Sequence, residues 1–493
     1  MKKLITSVTM LALLLALLLA GCSLDDPADP TGTVNPPGPG DASTPYVAIG
    51  NSLTAGYMES GLMKAGQANS FPMLLATQMG LNKKTFTQPW VDAPGIGSTN
   101  VGEGQIAGVL HYTGTTIAPL GITPGDQVMG LLLAVTQPTQ YNNLAVPGAT
   151  VHDAMNAFDQ GSSQGNVPFF NFINRASLFG NTIVPPSGGP PPTPGFATQS
   201  MFMQTISKGP ALVTVWIGNN DALGGAFSGT PTVGVNMTPP AVFEGEFRAL
   251  LHSLAGGLVK RNGFPPKIVV AYTLGNDLPY FIPKALFEQV IGGAWPWGYE
   301  DGADVELVNF PTLSWVRNTD NQGSPIPGAA SATNGGAATL TTTEVAIIVD
   351  TGAAYNASME TVVAEVNGSG MGKCAVFDVK EFVSNWTAAQ KTHFLFMMPP
   401  DRLPTPEEIT GAANMTLFSL DGIHPNNRGY GYIANGFIET INAAWPEDYN
   451  IPEVNVDALS WDPTYGVPIG KMDTGTGQGL TPEAARAMGA IFR

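Results

Sequence analysis

The chain has 493 residues, of which 43% are hydrophobic and 12% charged. Glycine (59) and proline (42) make up about a fifth of it, short of a disordered or fibrous composition, so a packed core with long ordered loops is expected. With 38 acidic and 21 basic residues the net charge is −17, which argues against a nucleic-acid partner and otherwise bears on solubility.

Lys2 and Lys3 precede a nearly pure Leu/Ala stretch from Met10 to Ala20, too short for a comfortable membrane span and flanked as a cleavable signal is. Leu19-Ala20-Gly21-Cys22 resembles a bacterial lipobox. That resemblance implies removal of residues 1–21, which takes the charge to −19, and lipidation of Cys22. Membrane attachment would then run through an N-terminal lipid, and Ser23 after the cysteine favours the outer membrane of the cell envelope. Residues 22–45, rich in Pro, Gly, Asp and Thr, read as a tether. Cys374 remains as a buried free thiol, so no disulfide framework is expected.

Further along, short apolar runs recur at Tyr46–Ile49, Leu144–Val146, Ala211–Ile217, Ile268–Tyr272, Val345–Val349 and Ala375–Val379. Their length and continuity predict strands buried on both faces. Apolar stripes predict helices over Ala241–Leu258 and Gly429–Trp445. Strands alternating with helices make an α/β domain, here 46–445, with loop-rich insertions near 82–140, 159–200 and 296–343. Residues 446–493 form a C-terminal extension, Pro/Gly-rich until a short helix over Pro482–Ile491. Length alone suggests two to three domains.

Three of the apolar runs end in small or polar residues. Tyr46–Ile49 enters Gly50-Asn51-Ser52-Leu53, Leu144–Val146 enters Pro147-Gly148, and Ala211–Ile217 enters Gly218-Asn219-Asn220-Asp221. Ligands bind beyond the carboxyl ends of parallel strands, so these corners are placed to converge. Ser52, between strand and helix, suits a nucleophile, and it needs a base. Of five histidines, His424 stands out, because Asp421-Gly422-Ile423-His424-Pro425 sets a carboxylate where a turn brings it to Nδ1, leaving Nε2 for the nucleophile. Pro425 holds His424 on a loop before the final helix. His252 falls on a helix face, His152 and His393 lack comparable partners, and all three read as structural.

Taken together, Gly50-Asn51-Ser52-Leu53, Gly148, Gly218-Asn219-Asn220-Asp221 and Asp421-Gly422-Ile423-His424-Pro425 resemble, in order, the four blocks of the SGNH/GDSL hydrolases, spanning 46–435. The resemblance implies a flavodoxin-like three-layer α/β/α fold with a central parallel sheet and esterase or lipase chemistry. It implies Ser52 as nucleophile, His424 as base and Asp421 as its orienter, with Ser52 N–H, Gly148 N–H and the Asn220 amide as oxyanion hole. The family usually has Asp where this chain has Asn51, which keeps the hydrogen-bonding shape and loses the charge.

Gly161-Ser162-Ser163-Gln164-Gly165 matches the elbow of a different hydrolase fold, yet no buried strand precedes it. With no H-E-x-x-H, no paired Cys/His spacing and no phosphate loop, neither metal nor other cofactor is expected. Asp320-Asn321-Gln322-Gly323 has only a turn's composition. The expected partner is an ester, and apolar residues in the insertions, Trp295 and Trp297 among them, lean toward lipid-like or aryl esters. A surface protein that binds glycans or lipids on a catalytically weak or inactive version of this scaffold is the alternative.

Overall fold

The computed structural model describes residues 46–82, 84–93, 95–97, 106–114, 116–122, 141–170, 199–273, 281–291, 305–309, 339–399, 402–464 and 479–480. The signal sequence with Cys22, the tether, Trp295, Trp297, the 320–323 turn and the helix expected over Pro482–Ile491 lie outside them.

Strand β1 (Tyr46–Gly50) enters a single helical turn, α1 (Ser52–Ala55), followed by α2 (Phe71–Gln78). An antiparallel hairpin, β2 (Ile106–Tyr112) and β3 (Thr116–Ile122), lies within the stretch expected to be loop-rich. Then come α3 (Val151–Asn156), α4 (Met201–Lys208), β4 (Leu212–Trp216), α5 (Asn219–Ser228), α6 (Pro240–Asn262) and β5 (Lys267–Ala271). A small antiparallel sheet of β6 (Phe281–Pro283), β7 (Val305–Asn309) and β8 (Thr339–Thr341) precedes α7 (Thr342–Ser369), β9 (Lys373–Phe377) and α8 (Asn427–Ala444).

Four of the predicted strands form one parallel sheet in the order β1-β4-β5-β9. Residues 142–146 run along the free edge of β1. Ala48 N–H donates to Asn142 O (2.9 Å), and the amides of Leu144 and Val146 donate to Ala48 O (2.9 Å) and Gly50 O (3.1 Å). The expected strand Leu144–Val146 is thus an extended edge segment with a single bridge, at Asn143. Counting it, the spatial order is second-first-third-fourth-fifth, the flavodoxin-like order, with its switch point beside β1.

The period of two along each strand divides the core. Val47, Ile49, Val213, Val215, Ile268 and Val270 face a layer built from α3, α4, α6 and α7. Tyr46, Ala48, Leu212, Trp216, Val269 and Ala271 face α2 and α8, where Phe71, Leu75, Ile433 and Phe437 meet them. The result is a three-layer α/β/α arrangement. Among the described residues no helix is long and apolar enough to cross a membrane.

Val345–Val349 is not a strand but the first turns of α7. Thr341 caps that helix with a reciprocal capping box to Glu344. Burial then recurs at Val345, Ile348, Thr351, Tyr355, Met359, Val362 and Val366, the spacing of one helical face. Residues 446–464 pack on the protein rather than trail from it: Tyr449, Ile451, Leu459 and Trp461 are buried. Cys374 is half-buried and free, with burial pushing its thiol up to about 12.

Candidate active site

The parallel sheet delivers the first and third blocks to one end. A Cβ on Gly50 would lie 2.1 Å from Thr54 Oγ1 and 2.6 Å from the Trp216 carbonyl oxygen, so only glycine lets β1 turn there against β4. Asn51 then caps α1, its Oδ1 accepting the Leu53 N–H (3.1 Å). The shape expected to survive replacement of Asp by Asn is present. The Asn51 Nδ2 is buried without a partner among the described residues.

Ser52 opens α1. Its Oγ lies 2.8 Å from His424 Nε2, although 372 residues separate the two in sequence. His424 Nδ1 lies 2.9 Å from Asp421 Oδ2. Asp421 Oδ1 accepts the backbone N–H groups of Ile423 and His424 (both 2.9 Å), which folds the loop so that the carboxylate and imidazole meet. Across the loop, Ser419 N–H donates to His424 O (2.8 Å) and Asn426 N–H to Leu417 O (2.9 Å). Asn426 also caps α8, accepting from Gly429 N–H (3.0 Å), so the loop ends where the helix begins.

Asp421 is fully buried, which alone would raise its pKa. The facing imidazole, its hydrogen bond, and the backbone donors from His424 and Ser60 outweigh burial and hold the carboxyl below its ordinary range. The Tyr57 ring lies against the imidazole, centroids 4.8 Å apart. Neither Tyr57 nor Ser60 belongs to a motif block.

Gly148 sits at φ +85°, in a turn closed by Ala149 N–H to Val146 O (3.1 Å). A side chain there would be strained by that backbone and would press on Val167. Asn220 Nδ2 donates to Ala149 O (2.8 Å), tying the third block to the second. An amide nitrogen carries two hydrogens, so one remains for another acceptor. Asp221 reinforces the link: its Oδ2 accepts Val151 N–H (3.0 Å) and its Oδ1 accepts Thr238 Oγ1–H (2.9 Å). Burial pushes Asp221 up to about 7, against those two hydrogen bonds.

A cavity with Ser52, Asn51, Asn219 and Asn220 on its wall continues between α5, α7 and the small sheet. Its remaining lining is mainly apolar: Leu223 and Ala226 from α5, Phe281, Leu307 and Leu340 from the small sheet, Ile348 and Val349 from α7, and Ile423 from the histidine loop. Thr273, Asn356 and Lys380 add a polar side.

His152 and His252 stand elsewhere. His152 does have a carboxylate, with Glu246 Oε1 at 2.7 Å from Nδ1, and His252 Nε2 is 3.1 Å from Glu365. Both pairs are partly exposed and neither involves a motif serine. Ser163 of the G-x-S-x-G match lies in a turn, its hydroxyl donating to Gln160 O (2.9 Å) and accepting Val167 N–H (2.7 Å). The helix before it, α3, is no buried strand. Among the described residues no group of three or more His, Cys, Asp or Glu is placed to hold a metal ion.

No curated protein gives a significant match to the chain. Residues 46–437 match the family described as GDSL-like lipase/acylhydrolase, covering the sheet, the Ser52 turn and the His424 loop. The chain belongs to this family of hydrolases.

Proposed function

We propose that the protein is a lipid-anchored serine esterase that cleaves carboxylic esters through an acyl-enzyme. The observation that carries this reading is the unbroken relay from Asp421 Oδ2 through His424 to Ser52 Oγ, on the wall of an apolar cavity. Ser52 Oγ attacks the ester carbonyl carbon as His424 Nε2 takes its proton, and Asp421 stabilises the imidazolium. The negative oxygen of the tetrahedral intermediate is met by the N–H groups of Ser52 and Gly148 and by the free hydrogen of the Asn220 amide. His424 then hands its proton to the departing alkoxide. Water, deprotonated by the same imidazole, releases the acid and restores Ser52. The apolar cavity favours a lipid-like or aryl ester over a small acetylated sugar. Lipidated Cys22 would hold the domain at the envelope, on the outer membrane.

The test uses protein lacking residues 1–21 and p-nitrophenyl esters of graded acyl length. Ser52→Ala should lower kcat by about 10⁴-fold or more with an unchanged circular dichroism spectrum. Undiminished turnover in that variant overturns the assignment, and an optimum at acetyl overturns the lipid-like preference.

A further inference from the structure

The backbone turns left-handed at Glu59 and Ser60, with φ of +56° and +54°. Neither is glycine, and side chains rarely adopt this conformation even once. The turn aims several groups at the loop that carries the base. Glu59 N–H donates to Ser419 Oγ (3.2 Å) and Ser60 N–H to Asp421 Oδ2 (2.9 Å), while Glu59 Oε2 accepts Leu420 N–H (2.9 Å). Three consecutive loop residues are therefore held from this one turn. The other carboxyl oxygen, Oε1, accepts the indole N–H of Trp461 (2.6 Å), and the Glu59 carbonyl accepts Leu110 N–H (2.7 Å) from β2.

Glu59 is 2% exposed, and no ion pair reaches it among the described residues. Burial, and then the charge of Asp421, push its carboxyl well above the ordinary range. A buried acid held by two N–H donors beside a second carboxylate is a costly arrangement for packing alone.

We propose that Glu59 is a positioning residue for the Asp421–His424 pair, and that Trp461 of the C-terminal extension acts on the same pair through it. The role in turnover rests on the hydrolase reading above; the placement of the imidazole does not. Glu59→Gln sets an amide NH₂ against one of two N–H donors. Trp461→Phe removes the indole donor and keeps a ring against Phe394, 5.6 Å away.

Two readouts separate positioning from simple stabilisation: kcat and KM on a p-nitrophenyl ester, and the downfield proton resonance of His424 Nδ1–H, assigned by its loss in His424→Gln. Trp461→Phe should lower kcat about tenfold with KM changed less than about twofold, and should shift or broaden the resonance. Glu59→Gln should cost more, and the double variant no more than Glu59→Gln alone, because both act through one carboxyl group. Wild-type kcat and an unmoved resonance in either folded variant, whatever the melting temperature, overturn the proposal. Should Glu59→Gln fail to fold, Trp461→Phe decides by the same two readouts. If the parent protein cleaves no ester, the hydrolase reading falls and the resonance alone decides the role of Glu59.

Discussion

His393, like Glu59, holds the loop at Leu420. Its Nε2–H donates to Leu420 O (2.9 Å) and its Nδ1 accepts Leu395 N–H (3.2 Å), fixing the tautomer. Burial depresses its pKa to about 4, against an unfolded value near 6.5. The folded state then refuses a proton that the unfolded chain accepts, so this contribution is complete above about pH 6.5 and fades as pH falls toward 4. In urea titrations across that window, His393→Gln should flatten the fall of stability with pH by about one proton relative to the parent. An unchanged slope would contradict a buried neutral imidazole. At this scale the cluster of Ser52, His424 and Asp421 was legible because its motifs are written in adjacent residues: a small-residue turn, and a carboxylate three positions before an imidazole. Tyr57, Glu59 and Ser60 were not. Their roles depend on two consecutive left-handed residues, and nothing in Met-Glu-Ser signals a conformation normally left to glycine.

Secondary structure was legible where periodicity and length agreed. Helices α6 and α8 carry their stripes where expected, and four strands are the continuous apolar runs of a doubly covered sheet. Val345–Val349 failed because a five-residue apolar run fits a buried strand and a buried helical turn equally well. The capping box from Thr341 to Glu344, just ahead of it, was the signal that decided the matter physically. The small sheet of β6, β7 and β8 joins short segments distant in sequence, so no local pattern announced it. The clearest energetic test of the layering is Phe437 on α8. It is fully buried, stacks on Phe71 with centroids 4.3 Å apart, and meets Phe377 edge-on at 4.9 Å. Phe437→Ala should destabilise by about 3–5 kcal/mol, read as a lower denaturation midpoint with an unchanged slope. A loss below about 1 kcal/mol would mean that α8 is not seated on the sheet as described.

On the scale of the molecule, length suggested two or three domains, but contacts between distant segments set the architecture. The sheet draws on residues from 46 to 377, and the site closes only when the loop at 424 reaches Ser52. The parts of this framework are therefore widely spaced along the chain. The proposed N-terminal lipid is tested independently of this framework. Cys22→Ser should abolish incorporation of labelled palmitate and move the protein from the membrane pellet to the soluble fraction. Retention in the pellet would count against an anchor at that residue.

The 372-residue separation of Ser52 from His424 has a consequence for the life of the protein before it folds. Chains are made from the amino end, so Ser52 emerges early, while His424 and Asp421 arrive in the closing part of synthesis. Until then Ser52 has neither the imidazole nor a finished cavity, because Lys380 and Ile423 of the cavity wall are missing as well. On the proposed function, a growing or still unfolded chain carries the Ser52 hydroxyl as an ordinary, inert alcohol. On that same reading, an ester can meet a competent site only after the whole chain has been made and folded.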